Sequence, residues 1–115
     1  MSDLFAERLA MVRQRFAAKL DARIDEIEAT VPELARDGSR ETLARAHRRA
    51  HDLCGVGPTM GFVATGQAAR SIERVLLEAV KAGRSLTEDE VARVRDGIAL
   101  LRSAASAETR PSGQA

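Results

Sequence analysis

Both histidines of the chain and its one cysteine, His47, His51 and Cys54, lie together in the stretch AHRRAHDLCGVGPTMGF (46–62). An imidazole with a pKa of about 6.5 is neutral at pH 7 and offers an unprotonated ring nitrogen. Where it reaches water it is a competent nucleophile toward phosphorus. A second chemistry is also open, because His47 and His51 are spaced i, i+4 with Cys54 one turn further on, which suits metal ligation. The chain has no further Cys or His to complete a zinc site, so carboxylates would have to serve. Gly55, Gly57 and Gly61 do not form a phosphate-binding loop, since no strand pattern precedes them and no Gly-Lys-Ser/Thr follows. A single Cys excludes an internal disulfide and fits a reducing compartment.

The position of His51 on its helix narrows the choice. Leu43, Ala46, Ala50 and Leu53 form the buried stripe, and at about 100° per residue His51 sits roughly 120° from its centre, facing water. Gly55, one turn on, costs a helix about 1 kcal/mol relative to Ala and leaves open space beside the ring. The helix is expected to falter around GVGPTMG (55–61), where Pro58 sits among three glycines. The hairpin that follows reflects positions near 69–74 of the next helix onto His51. Arg70, Glu73 and Arg74 are the candidates there. Glu73 is suited to hold the Nδ1 proton and leave Nε2 free, and either arginine to meet phosphate oxygens. His47 then reads as a bystander, and Cys54 as a small buried side chain at the edge of the core. Arg45, Arg48 and Arg49 form a basic cluster, either a solvated face or a docking patch for an acidic partner. Phosphoryl chemistry is allowed by these residues without being demanded.

The elements that carry them are helical throughout. The 115 residues suffice for one domain with one core. With 44% hydrophobic but only 3% aromatic residues and no Trp or Tyr, that core is built from Ala, Leu, Val and Ile, the material of helical bundles. Lys+Arg of 18 against Asp+Glu of 17 gives no global attraction to nucleic acid, and opposes a nucleic-acid reading of the arginine cluster. The opening MSDLFAERLAMVRQRF has early acids and no continuous apolar run, so neither a signal peptide nor a membrane span is expected, and a cytoplasmic location is.

Leu9, Val12, Phe16, Leu20, Ile24, Ile27 and Val31 predict a helix from about Asp3 to Val31, capped by Ser2 or Asp3 and limited by Pro32. PELARDGS holds one more turn before Gly38, and Ser39 caps a second helix from Arg40. A third runs from near Phe62 to Lys81 or Ala82 with Ala69, Ile72, Leu76 and Ala79 inward, and Gly83 just past its end. The fourth opens on the capping box Thr87-Glu-Asp-Glu90 and buries Val91, Val94, Ile98, Leu101 and Ala105. SAETRPSGQA (106–115) is expected to be a polar, flexible tail. Four helices with short connections predict an up-down-up-down antiparallel four-helix bundle.

A50-H51-D52-L53-C54-G55 followed by Gly61-Phe62 resembles the signature of the histidine-containing phosphotransfer (HPt) family, His-x-Leu-Lys-Gly with a second glycine six residues later. The long helix, small turn and helix of FAAKLDARIDEIEATVPELARDGSRETLARAHRRAH match the family's approach to its histidine, and the resemblance covers about residues 4–105 of a domain taken as 1–105. It implies that His51 is the phosphoacceptor, taking a phosphoryl group from a receiver-domain aspartate and passing it to another receiver. Leu53 would pack inward, Gly55 would keep the site open, and Gly61 would permit the tight passage onward. Val56, Pro58 and Val63, with Met60 a weaker member, would form an apolar docking patch for receivers of response regulators or hybrid kinases. No cofactor is implied on this chain, Mg²⁺ belonging to the receiver; no metal, nucleic acid or membrane is expected, and a monomer is. Two positions depart from the family pattern. Glu73 stands where a glutamine is frequent, and Cys54 where a lysine is common, with Arg48, Arg70 or Arg74 as substitutes. The departures leave a second reading open, a non-phosphorylated helical adaptor that binds and regulates a receiver or sensor kinase.

Overall fold

The computed structural model describes residues 2–110, and among them five helices and no strand: α1 (Ser2–Glu28), α2 (Val31–Asp37), α3 (Arg40–Thr59), α4 (Val63–Ala82) and α5 (Glu88–Thr109). Four long helices form a bundle, and α2 is a short addition to the four expected. The densest packing is α3 on α4, followed by α4 on α5. Leu20, Ile24, Leu53, Ile72, Leu76 and Leu101 fill the centre and are almost wholly buried.

α1 stops at Glu28, three residues earlier than its apolar stripe suggests. Pro32 has no N–H to return to the Glu28 carbonyl, so the chain turns at Ala29 and Thr30, and the Thr30 hydroxyl donates to the Ile27 carbonyl at 2.6 Å. Pro32 then sits in the first turn of α2, where its missing N–H costs nothing. The other end of the stripe also differs. Val12 is 44% exposed and Leu9 only partly buried, because the core begins at Phe16 and the earlier turns of α1 project past the bundle. A 20-residue helix such as α3 spans about 30 Å, whereas the molecule is 53 Å long.

α3 does not falter at residues 55–61; it runs through Pro58 to Thr59. Pro58 falls in the last turn, where its missing N–H removes only one bond. The Met60 N–H closes the end on the Val56 and Gly57 carbonyls, each at 3.1 Å. The reversal then needs Gly61, at φ 86°, and the Phe62 N–H reaches back to the Gly57 carbonyl at 2.7 Å. The two helices approach as bare backbone. A Cβ on Gly66 would lie 2.6 Å from Pro58 Cδ, and one on Gly57 would lie 3.0 Å from the Phe62 carbonyl oxygen and 3.3 Å from Gly66 Cα.

α5 opens on the capping box expected at Thr87 and Glu90. The Arg84 guanidinium beside Glu90, at 2.7 Å, holds that carboxyl down to about 2. At its other end α5 is helical to Thr109, so Ser106–Thr109 are not the polar tail expected, and 111–115 lie outside the described residues. The reason is Glu108. Phe62 gives α4 no side-chain cap, and Glu108 supplies one from across the bundle. Its carboxylate accepts from the N–H groups of Ala64 (2.9 Å) and Thr65 (2.7 Å) and from the Thr65 hydroxyl (2.6 Å). Burial opposes the charge on Glu108, but the Thr65 hydroxyl and these backbone donors outweigh it and hold the carboxyl below its ordinary value.

Two measurements follow from this framework. Gly66→Ala drives a methyl into the Pro58 ring and is expected to lower stability by about 1–3 kcal/mol in urea unfolding, although alanine is the better helix former. Glu108→Ala is expected to cost about 1 kcal/mol at pH 7, as loss of a cap does. Because the folded-state pKa of Glu108 is lowered, its contribution is present above the ordinary value of 4.5 and is lost as the pH falls through the folded value. The gap between wild type and Glu108→Ala therefore closes in acid.

Candidate functional site

His51 stands on the middle of α3 with 64% of its side chain exposed, on the side of the helix away from buried Ala50 and Leu53. Its Nδ1 bonds the carboxylate of Glu73, which reaches it from α4 and is itself only 15% exposed. A carboxylate can only accept, so Nδ1 carries the hydrogen. Nε2 on the other side of the ring then keeps its lone pair. This is the arrangement of a histidine nucleophile: one nitrogen fixed, the other free, the ring in water.

The hairpin sets this pairing. Stepping one turn from His51 and Glu73 toward the connection places Cys54 opposite Arg70, and one further turn places Pro58 on Gly66. Arg70 lies against the Cys54 thiol, a contact that pushes the guanidinium further above its ordinary pKa, with Glu73 one turn away contributing to the same effect. Cys54 is partly buried, packed at the edge of the core, rather than fully enclosed. Gly55 is exposed, and a Cβ built on it meets nothing within 4 Å, so the space beside the imidazole is open.

His47 stands beside the His51–Glu73 pair without a hydrogen bond of its own, its buried Nε2 having no such partner among the described residues. Its ring stacks near that of His51, centroids 6.1 Å apart and 17° from parallel, and its Nε2 lies 3.6 Å from the same Glu73 oxygen. Glu73 therefore sits between two imidazoles. The i, i+4 spacing of the histidines was the available signal, and it is the acid on α4 that gives it meaning. Among the described residues no three His, Cys, Asp or Glu side chains are grouped to hold a metal ion.

Other positions fall outside this cluster. Arg48 and Arg74 are exposed and make no ion pair or hydrogen bond among the described residues. Arg49 is tied to Glu26 of α1, and Arg45 contributes to lowering the pKa of Glu33, so the arginine cluster is divided among neighbours. Val56 (38% exposed) and Val63 (52%) flank the hairpin end. Pro58 is exposed, with its ring edge on Gly66, while Met60 packs partly into the core. Gly66 was legible only as a glycine interrupting a helical pattern, which marks a close approach.

A family model described as the Hpt domain matches residues 11–104. No curated protein and no solved structure matches the chain significantly.

The ring geometry has a direct spectroscopic test. Nitrogen-detected NMR of the histidine rings is expected to show His51 mainly as the Nδ1–H tautomer at pH 8. Glu73→Ala is expected to release it toward the Nε2–H form that free histidine prefers, and an unchanged tautomer would refute the assigned bond.

Proposed function

The chain belongs to the Hpt domain family, and we propose on that footing that His51 is its phosphoacceptor. Domains of this family act in histidine phosphotransfer within phosphorelays and interact with receiver domains; they are phosphocarriers rather than enzymes. In the reading proposed, His51 Nε2 attacks the phosphorus of a receiver's aspartyl phosphate. The N–P bond forms as the O–P bond breaks, and the receiver's carboxylate leaves with the electron pair. A second receiver reverses the step and takes the phosphoryl group onward. The observation that carries this reading is the pairing of exposed His51 with largely buried Glu73 across the hairpin.

Each neighbour has a part in that step. As Nε2 bonds to phosphorus the ring becomes cationic, and Glu73 at Nδ1 compensates the new charge where a neutral amide would only orient the ring. Arg70, opposite Cys54, supplies from α4 the cation that the family more commonly carries three residues after the histidine on its own helix. Arg48 and Arg74 are solvent-held positive charges at the margin, available to the phosphate only through side-chain motion. Gly55 leaves room for the incoming receiver, and Val56, Pro58 and Val63 give it an apolar landing. The carrier needs no cofactor of its own, Mg²⁺ being held by the receiver.

The same reading takes the bundle as up-down-up-down. The paired contacts support it: His51 with Glu73 and Pro58 with Gly66 run in opposite order along α3 and α4. Thr65 with Glu108 and Ile72 with Gly97 do so along α4 and α5. Among the described residues no helix is long and apolar enough to cross a membrane, and we take the carrier as a cytoplasmic monomer. Cys54, where the family commonly has a lysine, favours a second reading in which the fold binds a receiver without carrying phosphate.

Incubation with a phosphorylated receiver distinguishes the two. Acid-labile, base-stable label is expected on this chain and is expected to vanish in His51→Gln; label retained in that variant refutes His51 as the acceptor, and binding with no label refutes the carrier. Arg70→Ala is expected to slow acceptance about tenfold, the scale of one charge-assisted contact to a transferring phosphoryl group. Adding Cys54→Lys to that variant is expected to restore most of the rate.

A further inference from the structure

The projecting end of α1 carries an apolar seam that nothing in the bundle covers. Phe5 is 72% exposed and Val12 44%, with Leu9 partly buried between them. Their spacing of four then three residues, continued by another four to Phe16, is the alternation of a coiled-coil seam, and Leu4 (55% exposed) and Met11 (52%) lie beside it on the far side of Arg8 and Arg15. In heptad terms Phe5 and Val12 take d, and Leu9 and Phe16 take a. The four flanking e and g positions are then Ala6, Arg8, Arg13 and Arg15.

Three of the four are arginine. All three are exposed and make no ion pair or hydrogen bond among the described residues. Flanking charges decide which helix pairs with which. A second copy would set arginine against arginine in either direction: Arg8 against Arg13 if parallel, Arg8 against Arg15 if antiparallel. Asp3 and Glu7 do not relieve this, because they lie on the opposite side of the helix from the seam. We propose that residues 5–15 of α1 dock an amphipathic helix of another protein that bears acidic residues on both sides of its apolar seam.

The surface is separate from His51. It begins where the core ends, beyond the T-shaped contact of Phe16 with Phe62 at 5.1 Å, and reaches the α3–α4 hairpin only through Arg13, which lies beside Gly61. Substitution there leaves the buried core untouched, so folding and docking can be read apart.

The test uses the full chain and two synthetic helical peptides of about three heptads with leucine at a and d, one with glutamate and one with lysine at e and g. The glutamate peptide is expected to bind at least about tenfold tighter than the lysine peptide, with an affinity that falls as salt rises. Phe5→Ser/Val12→Ser is expected to abolish binding with helicity by circular dichroism unchanged. Arg8→Glu/Arg13→Glu/Arg15→Glu is expected to reverse the peptide preference. Equal binding of both peptides, or binding that survives the serine substitutions, overturns the proposal. So does concentration-dependent dimerisation through the same residues in sedimentation, or capture by phosphatidylcholine/phosphatidylserine vesicles without binding of the acidic peptide.

Discussion

The close crossing of α3 and α4 is the constraint on which the site depends. Gly57 and Gly66 meet with no side chain between them, and the Pro58 ring occupies the space a Cβ on Gly66 would take. Contact this close admits one register. A slip of one residue along α4 would rotate its side chains by about 100°, taking Glu73 away from His51 and Arg70 away from Cys54. Glu108 secures the same crossing from outside, since its carboxylate holds the first N–H groups of α4 just beyond the hairpin. A residue expected in a loose tail thus helps to fix the geometry of the His51–Glu73 pair two turns away.

The charges around His51 are layered. Glu73 lies beneath the imidazole at 15% exposure, with the two histidine rings against it. Arg70 lies further out and exposed, beside the Cys54 thiol on α3. In the proposed reading an incoming phosphoryl group would therefore meet the ring before the carboxylate, and a cation at the margin. Had Glu73 been exposed, its charge would have repelled the phosphoryl oxygens. In the proposed transfer, Glu73 placed under the ring would oppose them less and would stabilise the cationic imidazole that follows attack.

Much of this was legible in the sequence because local rules govern it. The Ser39 and Thr87 caps, the Gly83 terminus and the apolar stripes of α3, α4 and α5 depend on residues within a turn or two of each other. Reflection through the hairpin sufficed to bring Glu73 to His51. What escaped the reading depends on residues distant in the chain. Pro58 signalled a break, but a proline in the last turn is tolerated when the neighbouring helix offers Gly66 as a seat. His47 came to lie near Glu73 only through the packing of another helix, and α4 took its cap from a residue more than forty positions on. None of these pairings has a periodicity to betray it.

α1 shows why a stripe alone does not define a core. From Phe16 to Ile27 its apolar positions are buried to within a few per cent, and Arg23 lies over the Phe16 ring at 5.4 Å, closing the edge of the core. Before Phe16 the spacing persists, yet Phe5 and Val12 stand in solvent because the other helices have ended. The charges change character at the same point, with arginine alone flanking the exposed seam where the buried stripe is bordered by both signs, Lys19, Asp21, Arg23 and Glu28. A helix made only to complete the bundle has no use for two further turns of seam that leave a phenylalanine in water. The retained spacing and the one-signed flanks are what a selective helix partner requires.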